Sequence, residues 1–349
     1  MRREAIVGSL LGTAVGDALG LPYEGLSRQR AAKVLGAPDR QRFFFGAGMI
    51  SDDTEHTAMI AQSLISAGGD VAAFQKDFSW RLRFWLLTLP SGVGFATLRA
   101  IFKLLFGFPL HKSGVFSAGN GPAMRAAILG VAIADTPTLC AFVSASTRLT
   151  HSDPKAEYGA LAVALAAQMA SKQTPIEIDA YLALLTDVLP KDTELIQLIN
   201  AVKASVIARE STEQFSASLG LNNGVSGYVY HTVPVAIHAW LVNPTDYQLA
   251  ISSVIKCGGD TDSTAAIVGG IVGASVGKAG IALQWRQQVH DWPRSMPWLE
   301  LLAEKLDQAM QSGSPSEPPE LPFFGMLMRN IGFFLIVLAH VVRRLLPPY

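Results

Sequence analysis

The chain has little cysteine, little charge and almost no strand pattern. Cys140 and Cys257 are the two cysteines in 349 residues, too few for a disulfide framework. A reducing, cytoplasmic compartment is the simplest reading. Charged residues make up 16% of the chain, and its 28 Asp and Glu balance its 28 Lys and Arg. Zero net charge gives no support for a nucleic-acid partner. Alternation of apolar and polar residues, the mark of a half-buried strand, is nearly absent. An all-α domain with many helices around one core is therefore expected.

Acids are missing altogether from two stretches. Residues 78–134 hold no Asp or Glu, yet carry Arg81, Arg83, Arg99, Lys103, Lys112 and Arg125 among interleaved aromatics. Basic charge with exposed aromatics fits a membrane-surface element. A buried helical hairpin, broken near Pro90-Ser91-Gly92 with its arginines on a solvated rim, fits equally. Residues 321–349 also lack acids, and Ile331 to Val342 are uncharged. Those twelve residues are too few to span a bilayer, which takes about 20. Extending back to Leu321 brings in Arg329 and Asn330. Arg343 and Arg344 close the segment and would lie outside a spanning helix, against the positive-inside tendency. An interfacial helix making peripheral membrane contact through 321–349 is expected. A helix docked on the protein or on a second subunit is the competing reading; the oligomeric state is not legible.

Three segments follow from composition. Residues 1–310 form the main domain, 311–320 (Gln-Ser-Gly-Ser-Pro-Ser-Glu-Pro-Pro-Glu) a linker, and 321–349 the apolar, basic tail. Met1-Arg2-Arg3 before an apolar stretch mimics a signal peptide. Glu4 and Asp17 interrupt that pattern, so the stretch reads as the first helix.

Half of the residues are hydrophobic, enough for a sizeable core. Glycines at 8, 12, 16 and 20 lie on one helical face, and Gly269, Gly273 and Gly277 repeat the device. Glycine costs about 1 kcal/mol in a helix interior, so close packing must compensate. These two helices are expected to lie together in the core. Residues 123–134 and 155–171 read as buried helices, and Tyr228–Trp240 as a helix interrupted near Pro234.

Chemistry concentrates in two acidic knots. Ser51-Asp52-Asp53-Thr54 opens one apolar helix, and Gly258-Gly259-Asp260-Thr261-Asp262-Ser263 opens another. The plain reading is capping: Asp52 with Glu55 as a capping box, and Asp260 or Thr261 as an N-cap. A cap needs one carboxylate, whereas each knot has two. Four carboxylates flanked by hydroxyls suit a pair of hard divalent cations such as Mg²⁺ or Mn²⁺. Ser117-Ala118-Gly119-Asn120-Gly121-Pro122 is a small-residue loop before a helix, a place where backbone N–H groups can hold a phosphate. In His151-Ser152-Asp153-Pro154, Asp153 or Ser152 caps the helix that Pro154 starts.

The ordered set of Gly16-Asp17-Ala18-Leu19-Gly20 with Glu24, both knots, Gly119-Asn120-Gly121-Pro122-Ala123-Met124-Arg125 and His151-Ser152-Asp153-Pro154 resembles the ADP-ribosylglycohydrolase family over roughly residues 5–300. The resemblance implies an all-α domain with a dinuclear metal site. It also implies cleavage of the bond between ADP-ribose and a protein side chain or small molecule. Ser51, Asp52, Asp53, Asp260, Asp262 and Ser263 would hold two Mg²⁺ or Mn²⁺; serine stands at 51 and 263 where the family often has threonine. Glu24, Asp53 and Asp262 are the candidate catalytic acids or bases. Asp17, Ser117, Gly119, Asn120, Gly121, His151 and Asp153 would contact substrate. His56 and the aromatics of 80–108 are candidates for the wall that selects the leaving group, which is not legible. A non-catalytic member binding ADP-ribose or another nucleotide, and a hydrolase of a different nucleotide, are the alternatives. Retention of all four acids favours the enzyme.

Overall fold

Glycine at every fourth position lets two helix backbones meet. The computed structural model describes residues 2–172, 176–189 and 193–344. In it the first helix, Arg2–Gly20, runs antiparallel to the helix Thr261–Gly280. Gly8 lies on Gly273, Gly12 on Gly269, Gly16 on Ala265 and Gly20 on Thr261. A Cβ at Gly12 would stand 2.1 Å from the Gly269 carbonyl oxygen, so no larger residue fits without moving a backbone. The Tyr247 hydroxyl donates to the Gly12 carbonyl at 2.6 Å. At the far end Thr261 Oγ1 donates to the Gly20 carbonyl at 2.9 Å. This pairing, expected from the glycine spacing, sets the end of the first helix beside the second acidic knot.

The other long helices wrap this pair. Pro154–Ala170 is buried around nearly its whole circumference, and Asp52–Ala67, Val229–Val242 and Met296–Ser312 pack beside it or the pair. Their apolar side chains form one main cluster from Ala5 to Ala309. Among the described residues there are isolated bridges but no sheet. The first helix and its continuation to Tyr23 are long and apolar enough to cross a membrane, yet from Ala5 onward the stretch is buried and belongs to the core.

Three expectations need correcting. Val229–Val242 continues through Pro234 instead of breaking there. The single helix expected over 123–134 is two short ones, Gly121–Met124 and Ala127–Ala132. The break falls at Arg125, whose guanidinium turns inward to Ser146 and Thr150. Met296–Ser312 runs past residue 310 and ends at Gly313, whose φ of 62° is left-handed. The tail helix, Phe323–Arg344, has 22 residues, longer than its uncharged stretch. Arg329 and Asn330 do not interrupt it, because both find partners on the domain.

The acid-free block folds as the helices Val71–Leu87 and Phe95–Leu105. Trp85 is buried, while Trp80, Phe84, Phe95, Phe102 and Phe106 stay exposed.

Candidate functional site

Ser51, not Asp52, caps the helix Asp52–Ala67; its Oγ accepts from the Asp53 N–H at 3.3 Å. Glu55 does not complete a capping box. It turns inward, accepting from Trp85 Nε1 and, at 2.6 Å, from Arg294. Asp52 and Asp53 are thereby left without a capping duty. One oxygen of Asp17 braces the knot from behind. It accepts from the Ser51 N–H at 2.9 Å, the Thr54 N–H at 3.2 Å and the Thr54 hydroxyl.

The second knot is shaped by two left-handed glycines, Gly258 (φ 71°) and Gly259 (φ 84°). A Cβ on Gly259 would lie 2.0 Å from the Val225 carbonyl oxygen. Gly25 N–H donates to Gly259 O at 2.7 Å, Gly259 N–H to Leu26 O at 2.9 Å, and Asp260 N–H to Val225 O at 2.7 Å. These bonds tie the loop carrying Glu24 to the knot. Asp260 stands at the N-cap position but makes no capping bond; its carboxylate accepts from Asn120 Nδ2 at 2.7 Å. The knots meet at Asp53, whose Oδ2 accepts from Ser51 Oγ at 3.0 Å and Ser263 Oγ at 3.3 Å.

Crowding acids away from water raises their proton affinity. Asp52, Asp53 and Asp262 are all pushed well above the usual carboxylate range, first by burial and then by one another and by Asp17, Glu24, Glu55 and Asp260. Burial lifts Asp17 to about 6, although its hydrogen bonds from Thr54 and Ser51 pull the other way. The Oδ1 atoms of Asp17, Asp53 and Asp262 are buried with no hydrogen-bond partner among the described residues.

The glycine loop lies opposite. Val115 N–H donates to Thr150 O at 3.0 Å, Ser152 N–H to Val115 O at 2.9 Å, and Asn120 N–H to Gly227 O at 2.9 Å. The helix after the loop has only four residues, so its dipole adds little; the bare backbone of the glycines matters more. The His151 ring lies over them: a Cβ on Gly119 or Gly121 would come within 3.1 Å of it. His151 Nδ1 is 2.9 Å from Thr150 Oγ1, which accepts from Arg125 at 2.7 Å. Burial, helped by Arg125, lowers His151 to about 3, so the ring is neutral.

These elements enclose one cavity of about 720 Å³. Glu24, Asp52, Asp260, Asp262, Ser263, Ser117, Gly119, Asn120, Gly121 and His151 reach its wall. Asp17, Ser51 and Asp53 stand behind it. Asp153 caps the helix Pro154–Ala170, accepting from the Lys155 N–H at 2.9 Å, and is not on the wall. His56 is not on the wall either; it is buried 2.9 Å from Arg125 and edge-on to Trp85. Phe95 is on the wall, from the aromatic block. Sequence reasoning missed Thr97, Arg99, Phe116, Ser226 and Gly227. Arg99, stacked 5.6 Å over Phe95, belonged to a block legible only as basic and aromatic.

Comparison with known proteins places the chain in a family. The profile of the ADP-ribosylglycohydrolase family matches residues 1–316. An uncharacterized protein of Archaeoglobus fulgidus is 32% identical over 306 residues, covering 85% of this chain and 94% of its own. ADP-ribosyl-[dinitrogen reductase] glycohydrolase of Rhodospirillum rubrum is 26% identical, covering 80% and 88%. ADP-ribosylhydrolase ARH3 of Xenopus tropicalis is 25% identical, covering 87% and 96%. A solved ADP-ribosylglycohydrolase-related protein complex superposes with a TM-score of 0.65 at 26% identity, covering 88% of this chain and 99% of the other. With its knots, glycine loop and His151 around one cavity, and with the family profile matched over nearly its whole length, this chain belongs to the ADP-ribosylglycohydrolase family.

Proposed function

We propose that the chain is a divalent-cation-dependent hydrolase of the glycosidic bond between ADP-ribose and a modified side chain or small molecule. The observation that carries this reading is the convergence of both acidic knots, the glycine loop and His151 on one cavity of about 720 Å³, a size that suits a nucleotide-like ligand. The names of the relatives support the reaction class.

Ser51, Asp52, Asp53, Asp260, Asp262 and Ser263 would hold two Mg²⁺ or Mn²⁺. The fit rests on the buried, unpartnered Oδ1 atoms of Asp53 and Asp262. Among the described residues no group of three or more His, Cys, Asp or Glu makes a metal site by itself, so the Ser51 and Ser263 hydroxyls would have to contribute. Carboxylate and hydroxyl oxygens are the ligand type that suits Mg²⁺. Such ions, when bound, orient a ribose diol and make water more acidic. The chain does the rest. Asn120 holds the Asp260 carboxylate in place through its 2.7 Å bond. Neutral His151 offers a hydrogen bond to ribose or phosphate without adding charge. Carboxylates at the wall favour the positive charge that develops on the sugar. Glu24, exposed on the wall beside the second knot, is placed to move a proton to the leaving group or from water, with Asp53 and Asp262 as the other candidates.

The test is release of free ADP-ribose from ADP-ribosylated arginine and serine peptides by the full chain, with Mg²⁺, Mn²⁺ or EDTA. Metal-dependent release is expected, and the better peptide names the leaving group. Asp260→Asn with Asp262→Asn should abolish release while the helical circular dichroism stays unchanged. Full activity in that variant refutes the site. ADP-ribose binding with no release from any conjugate would make the chain a binding member of the family.

A further inference from the structure

The tail helix turns its polar residues inward, beside Phe333, which packs on Leu21 and Phe43, and leaves apolar residues outside. On a surface helix the apolar stripe faces the protein and the polar residues face water. Here the polar residues face the domain. Arg329 grips Asp291 through two bonds of 3.1 and 2.6 Å, approaches Glu55 at 3.6 Å, and donates to the Ile50 carbonyl. Asn330 Nδ2 donates to the Thr88 carbonyl at 2.9 Å, and the His340 ring stacks on Phe43 at 4.9 Å. The outer face carries Phe324, Met328, Ile331, Leu335, Leu338 and Val342, between 45% and 77% exposed. No charged residue lies between Arg329 and Arg343, and no acid lies anywhere in 321–349.

Beside this face runs the turn Phe44–Phe45. Phe45 is 97% exposed, with a left-handed φ of 47°. Phe44 and Phe45 share a groove with Leu335, His340 and Arg343. The surface is thus apolar and aromatic, with Arg343 at its edge and no anions on the helix.

We propose that this outer face rests in the interfacial layer of an anionic bilayer, with the helix lying in the membrane plane and the domain in water. Length and composition alone would let Phe323–Arg343 cross a membrane. Crossing would pull Arg329 off Asp291 and leave that buried carboxylate without its cation, so the helix stays docked. Pairing with a second copy is the weaker fit. A two-helix seam is narrow and flanked by charges, whereas here Phe334 and Val341, 54% and 44% exposed, broaden the stripe. An acid-free apolar helix that ends in Arg343 and Arg344 favours anionic headgroups.

The test is flotation of the full chain with vesicles of phosphatidylcholine alone or mixed with phosphatidylserine. Binding to the mixed vesicles, weakened by salt and reversed by alkaline carbonate, is expected. Leu335→Glu with Leu338→Glu should lower the bound fraction at least tenfold while the melting curve stays put. Phe45→Glu should act in the same direction. Absence of binding to both vesicle types, or binding untouched by the glutamates, overturns the proposal. Resistance to carbonate would mean a spanning helix and overturns it too. So does a dimer that the glutamate pair dissociates in a protein that ignores vesicles.

Discussion

Replacing Gly12 by alanine adds one methyl group at a crossing where two backbones touch. In an unpacked helix that change is favourable by about 1 kcal/mol. At Gly12 the new Cβ would stand 2.1 Å from the Gly269 carbonyl oxygen and 3.2 Å from the Gly273 Cα, where ordinary contact begins at 3.4 Å. Neither neighbour is a flexible side chain, so the helices must part by roughly 1.3 Å, the difference between 3.4 and 2.1 Å. Overpacking of this kind costs about 1–3 kcal/mol, and parting also loosens the contacts at Gly8, Gly16 and Gly20. With the propensity gain subtracted, we expect a net loss of about 2 kcal/mol, or roughly 3 °C in melting temperature for a domain of this size. Differential scanning calorimetry measures it. Gly332→Ala is the control: this exposed helical glycine has nothing within 4 Å of an added Cβ, and its melting temperature should hold or rise slightly. A Gly12→Ala protein that melts with or above the wild type would refute the backbone contact. Turnover should fall as well, because the same crossing sets Gly20 against Thr261.

Asp262 is pushed upward by burial and by Glu24, Asp260 and Asp53, so its ionisation opposes folding at neutral pH. A carboxyl whose folded pKa is raised stabilises most at acid pH and loses that contribution as pH rises through the folded value. Asp262→Asn should therefore raise the melting temperature in EDTA at pH 7.5, with the gain shrinking toward pH 4. Mg²⁺ should stabilise the wild type more than this variant; equal stabilisation would remove Asp262 from the ligand set. With His151 held near 3, the pH–rate profile above pH 5 should owe nothing to its titration. An acid limb near pH 6.5 that vanishes in His151→Gln would contradict a neutral imidazole. Arg329→Met leaves Asp291 buried without its cation and Glu55 with Arg294 alone. A loss of about 3–5 kcal/mol is expected, with faster proteolysis of the linker before the tail; an unchanged melting curve would show that the ion pairs contribute nothing.

The glycine pairing was legible because a four-residue spacing has one physical use that offsets its cost. The knots were legible because adjacent carboxylates exceed what a cap requires. The division of labour inside them was not. Ser51 caps and Asp17 braces, and each duty depends on which oxygen meets which N–H. Sequence adjacency does not encode that. Thr97, Arg99 and Phe116 reach the cavity from a block whose composition fits a rim or a membrane face equally well. What the sequence could not show is how the tail helix is held, because Arg329 and Asn330 look like interruptions of its apolar run. Their partners, Asp291 and Thr88, lie 38 and 242 residues away in the chain.

The two knots are held from behind by opposite ends of the chain, which gives Arg329 a second duty. Ile50, one residue before Ser51, is fixed at both polar atoms: its N–H donates to Asp291 at 3.1 Å and its carbonyl accepts from Arg329. The planar guanidinium serves Asp291 and Ile50 together, whereas an ammonium group is a point donor that serves one at a time. Arg329→Lys keeps the charge opposite Asp291, so the melting temperature should stay within a few degrees of wild type. The Ile50 carbonyl would lose its partner, and Ser51 with Asp52 and Asp53 would gain freedom. Turnover should then drop by at least tenfold while ADP-ribose affinity changes little, the pattern of a residue that positions a site without touching substrate. Melting temperature and turnover falling in step would reduce Arg329 to a structural ion pair. Neither changing would mean that the first knot holds its shape without the tail.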